Sequence, residues 1–252
     1  MIIMYKQMYK LMYNLQVIFL ILKPTIQTKY YYDSRIHNFG NIGLGGKVHS
    51  LLAPYATTLI DNKCYNSVNI RQVILSKYNQ EFYNNYEKVP KLIDLCCGTG
   101  TSTAVDQLGI DTSKEMLSAA RLNQAKSNHQ SLKIQTKFLK ANAENYGQPQ
   151  EFDTATLMFA FHEMPNYAHH KIIKNAKRIT KHAIIIVDIS PNYSPSLLML
   201  LGEPYLLNYK TTIHELLTQH KFSYLEYIPN HVGLWYFSHN QDPQINLTQL
   251  FK

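Results

Sequence analysis

The stretch that most constrains the fold is Leu92-Ile93-Asp94-Leu95-Cys96-Cys97-Gly98-Thr99-Gly100, a short apolar run that opens into a glycine loop. Glycines at the end of a strand let a ligand approach the backbone closely. A second segment, Gly109-Ile110-Asp111-Thr112-Ser113-Lys114-Glu115-Met116-Leu117, places another acid at the end of the next strand. A carboxylate there can accept both hydroxyls of a ribose. Two acids at successive strand ends, with a glycine loop between them, describe a nucleoside site in a strand-helix crevice.

Around this pair, strands and helices alternate from Val89 onward, as in a parallel sheet. Residues 91–95 and 152–161 read as strands, and residues 113–127 and 166–180 as helices. Thr112 and Glu115 have the spacing of a capping box at the start of the first helix, with Met116, Leu117 and Ala120 on its buried face. Ala183 to Val187 is an unbroken apolar run ending at Asp188, the pattern of a central strand covered on both faces. Late strands near 222–228 and 231–238 complete an antiparallel edge. The expected fold is a Rossmann-like three-layer α/β sandwich with a mostly parallel, seven-strand sheet. Residues 1–88 are expected to form an N-terminal extension and helical cap, with helices near 47–61 and 67–87. Residues 89–240 form the core and 241–252 a tail. Only seven residues, Thr101 to Gln107, are left for the first crossover, so the first helix is expected to shrink to a turn or two.

The composition fits a folded globular protein, with 45% hydrophobic and 17% charged residues. The net charge of +8 is spread along solvated helix faces and forms no basic stripe, which disfavours a nucleic-acid partner. Three cysteines, two of them adjacent, supply neither a disulfide framework nor zinc spacing, so a reducing, cytoplasmic setting without a metal is expected. The apolar run Leu11 to Leu22 is too short to span a bilayer and lacks a signal-peptide cleavage site, which leaves open a membrane-surface contact through residues 1–25.

On these motifs, residues 89–190 resemble the class I S-adenosylmethionine-dependent methyltransferases. The segment Asp94 to Gly100 is similar to their first motif, with Cys96 where glycine is common, and Gly109 to Leu117 is similar to their ribose-binding segment. Ala141-Asn142-Ala143-Glu144 resembles the segment that meets adenine, and Phe152-Asp153 through Phe161-His162-Glu163-Met164-Pro165 resembles the fourth-strand motif where the acceptor enters. The resemblance implies S-adenosylmethionine as cofactor. In it, Gly98 and Gly100 pack against the methionine part, Asp94 orients its amino group and Asp111 holds the ribose. Asn142 and Ala143 flank the adenine, while Cys96, Thr112, Met116 and Phe159 complete the surroundings. A nicotinamide dehydrogenase fits less well, because Thr103 stands where its third glycine would be.

Methyl transfer needs little from side chains, since the sulfonium is a good leaving group and placement supplies most of the rate. Some acceptors need a base, and His162 with Glu163 beside it are the candidate catalytic residues. His162-Glu163 is no metalloprotease motif, because Asn166 stands where the second histidine would be. Tyr31, Arg35, Tyr205 and Trp235 are candidates for the acceptor's pocket, which suits a small aromatic or hydrophobic metabolite; His37, Glu203 and His231 belong to the same outer segments. Two rival readings are a methyltransferase-like protein that binds without catalysis and an RNA or protein methyltransferase.

Overall fold

The computed structural model describes residues 29–127, 136–239 and 251. The expected contact of residues 1–25 with a membrane surface, and nearly all of the expected tail, lie outside them. Among the described residues no helix is long and apolar enough to cross a membrane.

Seven strands form one sheet in the order β3-β2-β1-β4-β5-β7-β6. They are β1 (Leu92–Leu95), β2 (Leu108–Asp111), β3 (Lys137–Lys140), β4 (Phe152–Met158), β5 (Thr180–Ile189), β6 (Ser223–Ile228) and β7 (Val232–Ser238). The first five run parallel. The last two are antiparallel, with β7 between β5 and β6. Connections leave in opposite directions on either side of β1 and β4, and the crevice outside their carboxyl ends is where an open α/β sheet binds its ligand.

Alternation along the buried strands sends side chains to two cores. On one face Ile93, Leu95, Ala155, Leu157, Ile184, Ile186 and Trp235 pack against α4 (Asn166–Ile179) and α6 (Leu206–Gln219). Helix α4 turns Ile172, Ile173, Ala176 and Ile179 inward and leaves Lys171 and Lys174 in solvent, as its spacing predicts. On the other face Leu92, Met158, Ile185, Val187 and Leu234 meet Ile74, Leu75, Tyr78 and Phe82 of α2 (Ile70–Tyr86). The Tyr78 and Thr154 hydroxyls hydrogen-bond at 2.5 Å within that layer. The second N-terminal helix is therefore a layer of the sandwich and not part of a cap, so residue 89 marks no packing boundary.

Two local expectations are corrected. The connection between β1 and β2 contains no helix at all, not even a shortened one. Its turns are held against the sheet by side chains, since Ser102 and Thr103 donate to Asp94 and the Leu92 amide donates to Gln107 Oε1. Those bonds satisfy the loop without a helical ladder. At the start of α3 (Lys114–Ser127), the cap is Ser113 and not Thr112, because Ser113 Oγ accepts from the Met116 amide at 3.1 Å. Glu115 does not fold back on its own helix. Its Oε1 accepts from the Gly43 amide at 3.0 Å, joining α3 to the first turn of α1 (Gly43–Cys64).

Helix α1 crosses the open end of the sheet. Ala53, Ala56, Thr57 and Ile60 face the interior cavity, while Leu44, Leu51, Tyr55 and Leu59 are exposed. Its last turn is tied to α2 by the buried pair of Asp61 Oδ1 and Arg71 Nη1 at 2.9 Å. The Arg71 guanidinium also lies 4.5 Å from the centre of the Phe159 ring, so this one contact fixes the helix and a cavity wall together.

Candidate active site

The crevice at the ends of β1 and β4 is the mouth of a cavity of about 690 Å³, roofed by α1 and by the turns at residues 30–38. One wall comes from the glycine loop and the ends of β2 and β3. The loop leaves β1 through left-handed backbone at Cys96 (φ 61°), Gly98 (φ 51°) and Gly100 (φ 77°). A Cβ on Gly98 would meet nothing within 4 Å and would stand in the cavity, so glycine there leaves room for a ligand against the backbone. Gly100 has a different task, since a Cβ on it would come within 2.8 Å of the Phe138 ring. Cys96 holds with a side chain the conformation that glycine adopts freely.

Asp111 anchors this wall. Its Oδ2 accepts from the Gly98 amide at 3.0 Å and its Oδ1 from the Ser113 amide at 2.8 Å, so one carboxylate joins the loop to the start of α3. Burial pushes its acid up to about 6, against the pull of those two amides. Cys96, Gly98, Asp111, Thr112, Met116, Asn142, Ala143 and Phe159 all line the cavity, which brings together eight of the ten residues expected around the cofactor.

The remaining two, Asp94 and Gly100, stand behind the wall. Asp94 is 2% exposed, and its carboxylate accepts from Thr103 Oγ1 at 2.7 Å, Ser102 Oγ at 2.9 Å and Thr156 Oγ1 at 3.1 Å. Burial raises its acid to about 6 despite these three hydroxyls. With its oxygens so engaged, Asp94 shapes the loop that lines the cavity.

The opposite end of the cavity is polar. His162 and Glu163 sit in a short turn after β4, and both line the cavity as expected. Asp188, at the end of β5, fixes this turn. Its Oδ2 accepts from the Phe161 amide at 2.7 Å, while its Oδ1 lies 2.6 Å from His162 Nδ1. Burial alone would lower the His162 pKa, but the Asp188 carboxylate more than reverses this and holds it at about 9. His37 arrives from the N-terminal turns with its Nε2 2.8 Å from Glu163 Oε1 and its Nδ1 2.6 Å from Glu203 Oε1. The two carboxylates outweigh burial and raise His37 well above an ordinary histidine, and His37 in turn pulls Glu163 down. Both His37 (φ 49°) and Asn38 (φ 63°) are left-handed, a conformation that costs such residues about 1–3 kcal/mol and must be held by the surroundings.

Of the four acceptor-pocket residues, only Tyr31 lines the cavity. Arg35 is turned away into a double contact with Asp33, including Nε to Oδ1 at 2.9 Å. Tyr205 donates to the same carboxylate at 3.1 Å, so Asp33, Arg35 and Tyr205 lock the turns that carry Tyr31 and His37. Trp235 is 1% exposed in the middle of β7 and belongs to the core, where period-two alternation points it away from the crevice. His37 and Glu203, expected only as members of the outer segments, line the cavity, and Asp188, expected only as the end of a central strand, fixes its polar turn. What the sequence did not display is the pairing of these side chains, which lie in segments far apart in the chain.

Residues 92–183 match a family described as a methyltransferase domain. No curated protein matches the chain in sequence. Among solved structures, the chain is similar to magnesium protoporphyrin IX methyltransferase from Synechocystis PCC 6803 with bound S-adenosylmethionine, at 14% identity and TM-score 0.47, over 68% of this chain and 80% of that one. It is also similar to a protein of Pyrococcus horikoshii OT3, at 18% identity and TM-score 0.49, over 73% and 98% of the two chains. The sheet order and the crevice beside the glycine loop define a Rossmann-like α/β domain, and the methyltransferase-domain match falls on the stretch from β1 into β5.

Proposed function

We propose that the protein transfers the methyl group of S-adenosylmethionine to a small metabolite with an aromatic or hydrophobic body. The observation that carries this reading is the continuity of the cavity, which runs from the glycine loop and Asp111 to the polar end at His162 and Glu163 beneath α1. Its volume of about 690 Å³ is in the upper part of the range of small-molecule sites, about 300–1,000 Å³, leaving space for a second small molecule beside a nucleoside. Tyr31, Ile36, Ala56, Ile60 and Met199 give that space an apolar lining, and a roofed chamber suits a metabolite better than a macromolecule.

In this reading Gly98, Asp111, Asn142 and Ala143 hold the cofactor, which supplies the activated methyl group. Asp111 accepts the ribose hydroxyls, and Asp94 keeps the loop in shape. His162 and Glu163 are the catalytic residues, set where the nucleophilic atom of the acceptor must lie. Most of the rate comes from holding that atom in line with the methyl group and from keeping water out.

The test is calorimetric titration with S-adenosylmethionine, followed by transfer of labelled methyl from it into fractionated metabolites. Binding that is lost in Asp111→Ala, together with a labelled small molecule, is expected. Cofactor binding without labelling of any aromatic or hydrophobic fraction would refute the acceptor class. The helix-free loop between β1 and β2 favours a second reading, binding without transfer, and this predicts affinity for the cofactor with no product in any fraction.

A further inference from the structure

At the polar end of the cavity three side chains from three separate segments converge. His37 comes from the N-terminal turns, His162 from the turn after β4, and Glu203 from the link between α5 (Leu197–Gly202) and α6. One ligand atom from each lies within 4.8 Å of the others. Each imidazole has one nitrogen held by a carboxylate of its own, His162 Nδ1 by Asp188 at 2.6 Å and His37 Nε2 by Glu163 at 2.8 Å. That is how metal-binding histidines are oriented, with the backing carboxylate fixing the ring and leaving the other nitrogen as the donor. Glu203 adds an independent sign. Its side chain is 4% exposed, and its Oε2 is buried without a hydrogen-bond partner, although buried carboxylate oxygens are ordinarily satisfied.

We propose that His37, His162 and Glu203 hold a divalent first-row transition-metal ion, with its open positions facing the cavity. The proposal rests on the reading of this end as the acceptor's place, and it narrows the acceptor to a molecule with an oxygen or nitrogen donor beside its apolar body. Two imidazoles and one carboxylate suit zinc or iron(II), whereas magnesium prefers an all-oxygen shell. Ligands at about 2.1 Å from a tetrahedral ion stand about 3.4 Å apart, so the widest separation must close by at most about 1.4 Å. The 2.6 Å contact between His37 and Glu203 opens as the ion takes the place of the proton they share. Glu203 Oε2 then gains a partner. The left-handed backbone at His37 is what brings this residue to the other two.

The experiment uses the full chain without an affinity tag, stripped with a chelator and dialysed against zinc(II), then analysed for metal content; a parallel sample takes cobalt(II) for its visible spectrum. One ion per chain is expected, with cobalt bands of a low-coordinate nitrogen and oxygen site. His37→Ala and Glu203→Gln should lose the ion. Glu163→Gln, which removes only the carboxylate behind His37, should weaken binding about 10- to 100-fold. Titration of each variant with S-adenosylmethionine reports whether the fold and the cofactor wall survive, which separates loss of metal from misfolding. No stoichiometric uptake by the wild type, or uptake unchanged in both His37→Ala and Glu203→Gln, would overturn the proposal. A stoichiometric ion with no methylated acceptor would support the metal site and count against the proposed reaction alone.

Discussion

Protonation of Asp111 should control cofactor affinity near neutral pH, and the structure sets the size of the effect. Burial holds this acid at about 6 in the ligand-free protein. Ribose hydroxyls are expected to donate to its charged form, which lowers the acid's pKa in the complex and makes binding release a proton. The sign follows: affinity is full above about pH 7 and falls by up to a decade per pH unit below 6. Between pH 7 and pH 5 the loss from this one group is about tenfold, or about 1.4 kcal/mol. Titration calorimetry with S-adenosylhomocysteine, in pairs of buffers with different ionisation enthalpies, reads both affinity and proton release. At pH 6 about half a proton should leave at Asp111 on binding. Asp94 is also held at about 6 but stands behind the wall. Asp111→Asn keeps Asp94, so any slope left in that variant belongs to Asp94. Equal affinity at pH 5 and pH 7 in the wild type, with no proton released, would refute the assignment of Asp111 to the ribose.

Three further outcomes follow from the packing. Trp235→Ala should lower stability by about 3–5 kcal/mol in denaturant titration while leaving cofactor affinity in the surviving native protein unchanged, because Trp235 is core and not cavity wall. Arg71→Ala leaves Asp61 buried without its partner and should cost about 3–5 kcal/mol, measured the same way, with faster hydrogen exchange along α1; restoring most of the stability in an Asp61→Leu, Arg71→Met double variant would show that the lone charge was the cause. Gly100→Ala forces a Cβ against Phe138 at a φ of 77° and should weaken cofactor binding along with stability, by about 1–3 kcal/mol in a thermal or denaturant melt.

The parts of the site that the sequence displays are the parts carried on contiguous segments. Asp94 to Gly100 and Gly109 to Leu117 each hold a strand end and the loop it opens, so residue order fixes the geometry, and the structure brings Gly98, Asp111, Thr112 and Met116 to one wall. The sheet was legible for the same reason, since strand and helix periods differ and the apolar run at Ala183 to Val187 admits little besides a central strand. What no period encodes is a tertiary choice between two partners. The acid at Asp94 could face a ligand or a loop hydroxyl, and it took Ser102 and Thr103, which also explains how the crossover dispenses with its helix. An aromatic residue near the sheet's end could line a pocket or fill a core, and alternation along β7 decided for the core at Trp235.

The polar end of the cavity is the extreme case. His37, Glu163, Asp188 and Glu203 are spread over more than 160 positions, and only the crevice at the ends of β4 and β5 gathers them. No one of them stands out in its own segment. Their arrangement is nevertheless ordered, because one nitrogen of each histidine is held by a carboxylate of its own, and a third carboxylate, Glu203, meets them with an oxygen to spare. A cluster built only to stabilise the fold would have little use for that spare oxygen, since an unsatisfied buried acceptor costs about 1–3 kcal/mol and an apolar residue of similar size would avoid the cost. The same calculation applied to Asp94, whose oxygens are taken up by hydroxyls, returns a structural role. The difference between these two buried carboxylates, one satisfied behind the wall and one unsatisfied at the cavity, is the physical reason for placing the chemistry at Glu203, His37 and His162.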